Sequence, residues 1–219
     1  MKKYIFWSIL PVCFLFAACK KDRIEGTGSI ITEIRNVVDF YNVSASGSTD
    51  VFITQGNEFE VKVKGYENIV PQLETKVQNG TLLIAFAPNT NISNDNSEVY
   101  ITMPNLNSVA LAGSGDLKTT GAFSGSGNFK ASTSGSGNID IESGTANNYQ
   151  IDISGSGGVK SFGMVSQQAV VNISGSGEAE LTVEKNLNAT INGSGSIYYK
   201  GNPATVTTKI TGSGQVIKR

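Results

Sequence analysis

After residue 108 the chain alternates apolar and polar positions with a period of two, and Gly-Ser-Gly interrupts the alternation at regular intervals. In YQIDISGSGGVKSF, Tyr149, Ile151 and Ile153 alternate with Gln150, Asp152 and Ser154 before Gly155-Ser156-Gly157, and Val159 resumes the apolar series. Such alternation on both sides predicts a strand entering and a strand leaving each glycine pair, each with one buried face. The triplet begins at 113, 135, 155, 175, 193 and 212, in steps of 22, 20, 20, 18 and 19, with a further copy at 125. The flanks repeat with it. Two residues before the triplet stand Leu111, Thr133, Ile153, Ile173, Ile191 and Ile210; four before stand Val109, Ala131, Ile151, Val171, Ala189 and Thr208. Six before stand Phe129, Tyr149, Ala169, Leu187 and Val206. Two after it come Leu117, Ile139, Val159, Ala179, Ile197 and Val216.

A flexible linker has nothing to bury and shows no such alternation. A phosphate-binding loop opens a helix, and no helical period follows any of these glycines. The glycines Gly113, Gly115, Gly135, Gly137, Gly155, Gly157, Gly175, Gly177, Gly193, Gly195, Gly212 and Gly214 therefore read as structural corners, where positive φ is tolerated without a Cβ clash. A fixed period of about 20 residues is the signature of a solenoid. Gly144, Gly163 and the Gly201-Asn202-Pro203 group suggest a second corner per coil, giving two strands and two turns. The predicted fold is all-β, a parallel β-helix with coils about 4.8 Å apart.

Stacking makes an outward prediction. Three residues after the triplet, successive coils carry Lys118, Asp140, Lys160 and Glu180, an alternating charge ladder that would set register. Ser134, Ser154, Ser174, Asn192 and Thr211 form a second, small polar ladder, and each intervening Ser is expected to bond the local backbone. Exposed ion pairs contribute about 0.2–1 kcal/mol each, whereas burying one Ile or Leu contributes roughly 1.5–3 kcal/mol. The aliphatic columns therefore hold the wall.

Residues 28–107 are strand-like but irregular. Val51–Gly56, Phe59–Val63, Thr81–Phe86 and Val99–Pro104 read as strands. PNTNISNDNS at 88–97 reads as an exposed loop, with at most one helical turn near 68–73. After the last triplet, Gln215–Arg219 reads as an incomplete final coil. Its open edge would be blunted by Lys218 and Arg219 or covered by another subunit.

The first residues change the picture of where the chain resides. Met1-Lys2-Lys3 precede an apolar run from Tyr4 to Ala18, too short to span a bilayer and built as a secretory signal. Phe16-Ala17-Ala18-Cys19 resembles the lipobox of bacterial lipoproteins, with Phe in place of the usual Leu. The resemblance implies cleavage after residue 18 and acylation of Cys19. Lys20 in place of aspartate implies passage to the outer membrane. The organisation is then a signal at 1–18, a short linker at 19–27 and one domain at 28–219, regular from 108.

The mature chain has 219 − 18 = 201 residues, 15 basic and 18 acidic, for a net charge of −3. That balance gives no electrostatic case for nucleic acid. Cys19 is then the single cysteine, so no intrachain disulfide forms. The chain contains no histidine, which excludes a Ser-His-Asp triad, a Cys-His dyad and a His-ligated zinc.

Asp39-Phe40 leading to Gly47-Ser48-Thr49-Asp50-Val51, then Gln55-Gly56, Gly80-Thr81-Leu82, Ile101–Leu106 (ITMPNL) and the GSG series together resemble the DUF2807 family, the head GIN domain of an inferred auto-transporter adhesin. The resemblance covers 28–219. It implies a right-handed parallel β-helix, a Bacteroidetes lipoprotein and a role in cell adhesion. It implies no catalytic residue, metal or cofactor.

The leading expectation is a non-enzymatic, lipid-anchored interaction domain whose ligand is a glycan or an envelope or host protein. An inert envelope scaffold, or a stress-linked structural protein that packs against partners, is the alternative. A polysaccharide lyase or hydrolase is the third, because β-helices often cleave acidic glycans. It would need Asp140, Glu142, Asp152, Glu178 and Glu180 to converge, whereas they read as separate ladder positions. Arginine is also sparse, at Arg23, Arg35 and Arg219. Phe129, Tyr149 and Phe86 read as core, and Tyr198 as the outward aromatic.

Overall fold

The computed structural model describes residues 23–124 and 127–219. The signal, Cys19 and the first two residues of the triplet at 125 lie outside the described residues. The strands are β1 (Arg23–Glu25), β2 (Ile30–Arg35), β3 (Asn42–Gly47), β4 (Asp50–Gln55), β5 (Glu60–Tyr66), β6 (Leu73–Gln78), β7 (Thr81–Phe86), β8 (Asn91–Ser93) and β9 (Glu98–Met103). They continue as β10 (Ser108–Gly113), β11 (Leu117–Ser124), β12 (Asn128–Gly135), β13 (Asn138–Gly155), β14 (Gly158–Gly175), β15 (Glu178–Gly193), β16 (Ser196–Lys200), β17 (Thr205–Gly212) and β18 (Gln215–Lys218). One 3-10 turn, Val70–Gln72, is the only helical element among the described residues.

The strands stack in parallel as a β-solenoid of about five turns. The register follows the sequence columns. Leu111 pairs with Thr133, Thr133 with Ile153, Ile153 with Ile173, Ile173 with Ile191 and Ile191 with Ile210. On the other side of the corner Leu117, Ile139, Val159, Ala179, Ile197 and Val216 are likewise in register. Most of these side chains are buried to within a few per cent, and they form one continuous core. Phe129 and Tyr149 meet edge-on inside it, with ring centroids 5.7 Å apart. The small Ala169 on the next rung leaves the room they need.

The coils that begin at Asn138 and Gly158 have three inward runs, not two. Between Asn138 and Gly157, Ile139 and Ile141 face in, then Gly144 and Ala146, then Tyr149, Ile151 and Ile153. The breaks are Glu142-Ser143, Asn147-Asn148 and the GSG corner, where consecutive residues face away from the core. Gly144 and Gly163 are thus not a stacked second corner. Gly144 pairs with Phe123 and Met164, and only Gly201 of the proposed group takes positive φ, at 95°. The shorter coil that follows is made where β14 and β15 slip register between Ser161 and Val165 and again between Ser166 and Gln168. The short middle side is lost there, and Ala179, Leu181 and Val183 run directly to the outward Glu184–Asn186.

The N-terminal half belongs to the same solenoid, entered out of order. β3 and β4 form a coil around Gly47-Ser48-Thr49, and Gly47 pairs with Gly113 as one more corner. The chain then leaves to build the rung beyond, with β7 parallel to β3 and β9 parallel to β4. Antiparallel strands close that end: β6 on β7, and β5 then β2 on β9. Ile69, Val70 and Leu73, in and beside the 3-10 turn, are buried there. The segment 88–97 is not only loop, since β8 within it pairs with β1, which forms part of the segment 19–27.

Candidate functional site

The GSG corner fixes everything around it. The first glycine of the triplets at 113, 135, 155, 175, 193 and 212 has positive φ, from 118° to 136°. A Cβ there would also fall on the carbonyl oxygen of the corner glycine one rung back. The second glycine lacks the positive φ but meets the same obstacle. A Cβ on Gly137, Gly157 or Gly177 would overlap the carbonyl oxygen of Gly115, Gly137 or Gly157 respectively. The carbonyl of Gly113 accepts from Ser136 N at 2.9 Å and Gly137 N at 3.0 Å, and that of Gly135 accepts from Ser156 and Gly157 at 2.9 and 3.0 Å. The serine therefore ties rungs together through its backbone. Among the described residues no hydrogen bond from the Ser136, Ser156 or Ser176 hydroxyl is present, contrary to the local side-chain bond the sequence suggested.

Two outward surfaces flank this spine. After the corner runs the column Tyr100, Phe52, Lys118, Asp140, Lys160, Glu180, Tyr198, one residue per rung. The four charges stand in the predicted order. Yet none of the ion pairs among the described residues joins them, each of those pairs lying elsewhere. Register is therefore held by the glycine corner and the core columns rather than by these charges. Phe52 and Tyr100 stack with centroids 5.1 Å apart, an outward aromatic pair the sequence reading missed. Its signal was present in the alternation of β4 and β9, but the two strands become neighbours only because the chain enters the solenoid out of order. Tyr100 Oη donates to Glu98 at 2.7 Å, and Lys64 donates to the same carboxylate at 2.8 Å. The hydrogen bond from Lys64, then that from Tyr100, hold the Glu98 carboxyl below its ordinary value. Beside the column, a cleft of about 290 Å³ is lined by Asp50, Phe52, Asp116, Lys118, Asn138 and Asp140.

Before the corner, Ser134, Ser154, Ser174, Asn192 and Thr211 align as predicted. With the neighbouring column of Ser132, Asp152, Asn172 and Thr190, the first four of these, Ser134 to Asn192, floor a groove of about 460 Å³. Asp152 is its hub. Its carboxylate accepts from Lys130 at 2.8 Å, Asn172 at 2.9 Å and Gln150 at 2.7 Å. Partial burial alone would raise its pKa, but the hydrogen bonds from Asn172, Lys130 and Gln150 outweigh it and hold the carboxyl below its ordinary value.

The remaining sequence candidates stand apart. Glu142 accepts from Gly121 N at 2.7 Å, and Glu180 lies two rungs from Asp140, roughly 10 Å by strand spacing. Among the described residues no group of three or more metal-binding side chains comes together. Phe129 and Tyr149 are core, and burial pushes the Tyr149 phenol up. Tyr198 faces outward, but the Arg219 guanidinium covers its ring at 4.4 Å, so it offers no bare platform. No helix among the described residues is long and apolar enough to cross a membrane.

A spine of glycine corners with side-chain ladders on both flanks defines the class: a β-solenoid in which each ladder takes one outward residue per rung. The chain belongs to the DUF2807 family, described as "Putative auto-transporter adhesin, head GIN domain", which matches residues 39–203. Among solved structures it is similar to a "putative adhesin" from Bacteroides fragilis at 21% identity and a TM-score of 0.75, covering 90% of this chain and 100% of that one. It is also similar to a "Putative lipid binding protein" from Parabacteroides distasonis at 24% identity and a TM-score of 0.61, with the same coverage. A "putative adhesin" from Parabacteroides merdae has 22% identity and a TM-score of 0.56, covering 90% of this chain and 99% of that one. These likenesses bear on the fold. No curated protein matches the chain.

Proposed function

We propose that the chain is a non-enzymatic interaction domain of the bacterial cell envelope, an adhesin head anchored through an acylated Cys19. The carrying observation is the column Lys118, Asp140, Lys160, Glu180: three exposed charges and the half-buried Glu180, held in line by a rigid spine, with no ion pair closing between them among the described residues. Charges committed to one another would serve the fold; these are presented to solvent, where they can complement a partner's pattern and fix its register. The family supports an adhesive role, and nothing in the comparisons points to an enzyme. A glycan or an envelope or host protein is the partner class that a mixed polar and charged face suits.

The lipid anchor rests on the sequence at 16–19. The first strand begins four residues after Cys19 and pairs with β8, beside the capped end. An anchor there leaves the opposite end of the solenoid facing away from the membrane. Labelling cells with a fatty-acid analogue should mark the full chain and not its Cys19→Ser variant; labelling of both, or of neither, contradicts the anchor. For the interaction itself, the 23–219 domain is screened against arrays of glycans and envelope proteins beside a Lys118→Ala/Lys160→Ala variant. Capture that the variant loses is the expected result. Consistent silence from both supports an inert scaffold instead.

A further inference from the structure

We propose that the open rung formed by β17 and β18 is an acceptor edge for an extended, acidic strand of a partner protein, which adds beside β17 as one more coil. The proposal rests on the reading of the chain as an envelope interaction domain and says where and by what chemistry a protein partner would dock.

The two ends of the solenoid are unlike. At the first, antiparallel β6, β5 and β2 close the walls, and Ile69, Val70 and Leu73 fill the core. At the second, β17 pairs with β15 on one side and has no strand on the other among the described residues. Every residue of β17 is exposed. Val206 and Ile210 are 39% and 41% exposed, although Leu187 and Ile191 behind them in the same columns are 1% and 0%. The apolar columns thus run out into solvent beside a row of backbone groups in ladder geometry, which is the template for strand addition.

Charge selects the occupant. Residues 196–219 carry Lys200, Lys209, Lys218 and Arg219 and no acidic residue, a net +4. Residues 23–107, the capped end, carry 5 basic and 10 acidic residues, a net −5. The contacts of the cations are with Phe162, Asn202 and the ring of Tyr198, not with carboxylates. A second copy approaching by the same end would bring like charges together, so these side chains guard the edge against pairing with itself while favouring an acidic strand. Its alternate apolar residues would cover Val206 and Ile210.

The probe is a synthetic, end-blocked peptide with the sequence of Glu178–Gly193, EAELTVEKNLNATING. It is net acidic, alternates in phase, and already pairs in parallel within this fold. Its control carries Glu178→Lys, Glu180→Lys and Glu184→Lys. The acidic peptide should slow amide exchange across 205–212 of the 23–219 domain, and the control should bind at least about tenfold more weakly. A Lys209→Glu/Lys218→Glu domain with an unchanged melting temperature should reverse that preference. Equal binding of the two peptides, or no protection of β17 by either, overturns the proposal. So does concentration-dependent self-association of the domain alone with β17 protected, which assigns the edge to a second copy. The array screen reads Lys118 and Lys160 on the side wall, so failure at β17 leaves the adhesin reading standing.

Discussion

At the scale of single residues, the two glycines of a triplet are required for different reasons, and this separates them experimentally. Gly155 has a φ of 118° and also lies against the Gly135 carbonyl, whereas Gly157 is constrained only by its approach to Gly137. Gly155→Ala combines left-handed backbone strain with a clash, and Gly157→Ala has the clash alone. Each should destabilise by about 1–3 kcal/mol, Gly155→Ala by more, read as a shift of the denaturation midpoint. Ser156→Ala should stay within about 0.5 kcal/mol, because the backbone N–H of Ser156 makes the bond. The need for glycine was legible from its recurrence in the sequence. The division of labour was not, since the second glycine's constraint is a neighbour 20 residues away rather than its own dihedral.

Asp152 supplies a second test at this scale. Its folded carboxyl is held below the ordinary value of 3.8, so the unfolded chain binds more protons as pH falls through that region. The stability it contributes is present above about pH 4 and is lost progressively below it. Thermal melts between neutral and acid pH should show this loss, and Asp152→Asn should flatten that part of the profile. An unchanged acid profile in the variant would show that the bonds from Lys130, Asn172 and Gln150 do not favour the ionised form.

At the scale of elements, the strands on either side of the corner could be read because period-two alternation and a fixed repeat demand one register. The third side of the coil could not, because Gly144 and Ala146 make a run too short to show a period. Core and ladder differ in energetic weight. Ile173→Ala, which empties a fully buried column position, should cost about 2–5 kcal/mol. Lys160→Ala should change stability by no more than about 0.5 kcal/mol, because no ion pair is lost. A large stability loss at Lys160 would mean that the charge ladder holds the register after all.

At the scale of the whole molecule, asymmetry is the feature that sequence periodicity conceals. The repeat suggests an irregular first half followed by a solenoid, whereas the first half supplies two solenoid rungs of its own and a lid of antiparallel strands. β7 precedes β9 in the chain, yet both lie outside β3 and β4, which precede them. Pairings that run against chain order leave no mark on a local pattern. β17, by contrast, is exposed along its whole length beside the buried columns of β15. The functional reading depends on this rigidity, because ladders present a fixed pattern only if the corners behind them do not move.

Hydrogen exchange of the 23–219 domain tests that dependence most directly. Because the corner amides of Ser136, Gly137, Ser156 and Gly157 bond to the rung behind, they should exchange as slowly as the core amides of Ile151 and Val171, and far more slowly than those of β17. Rapid exchange at the GSG corners, as in a flexible linker, would contradict the account.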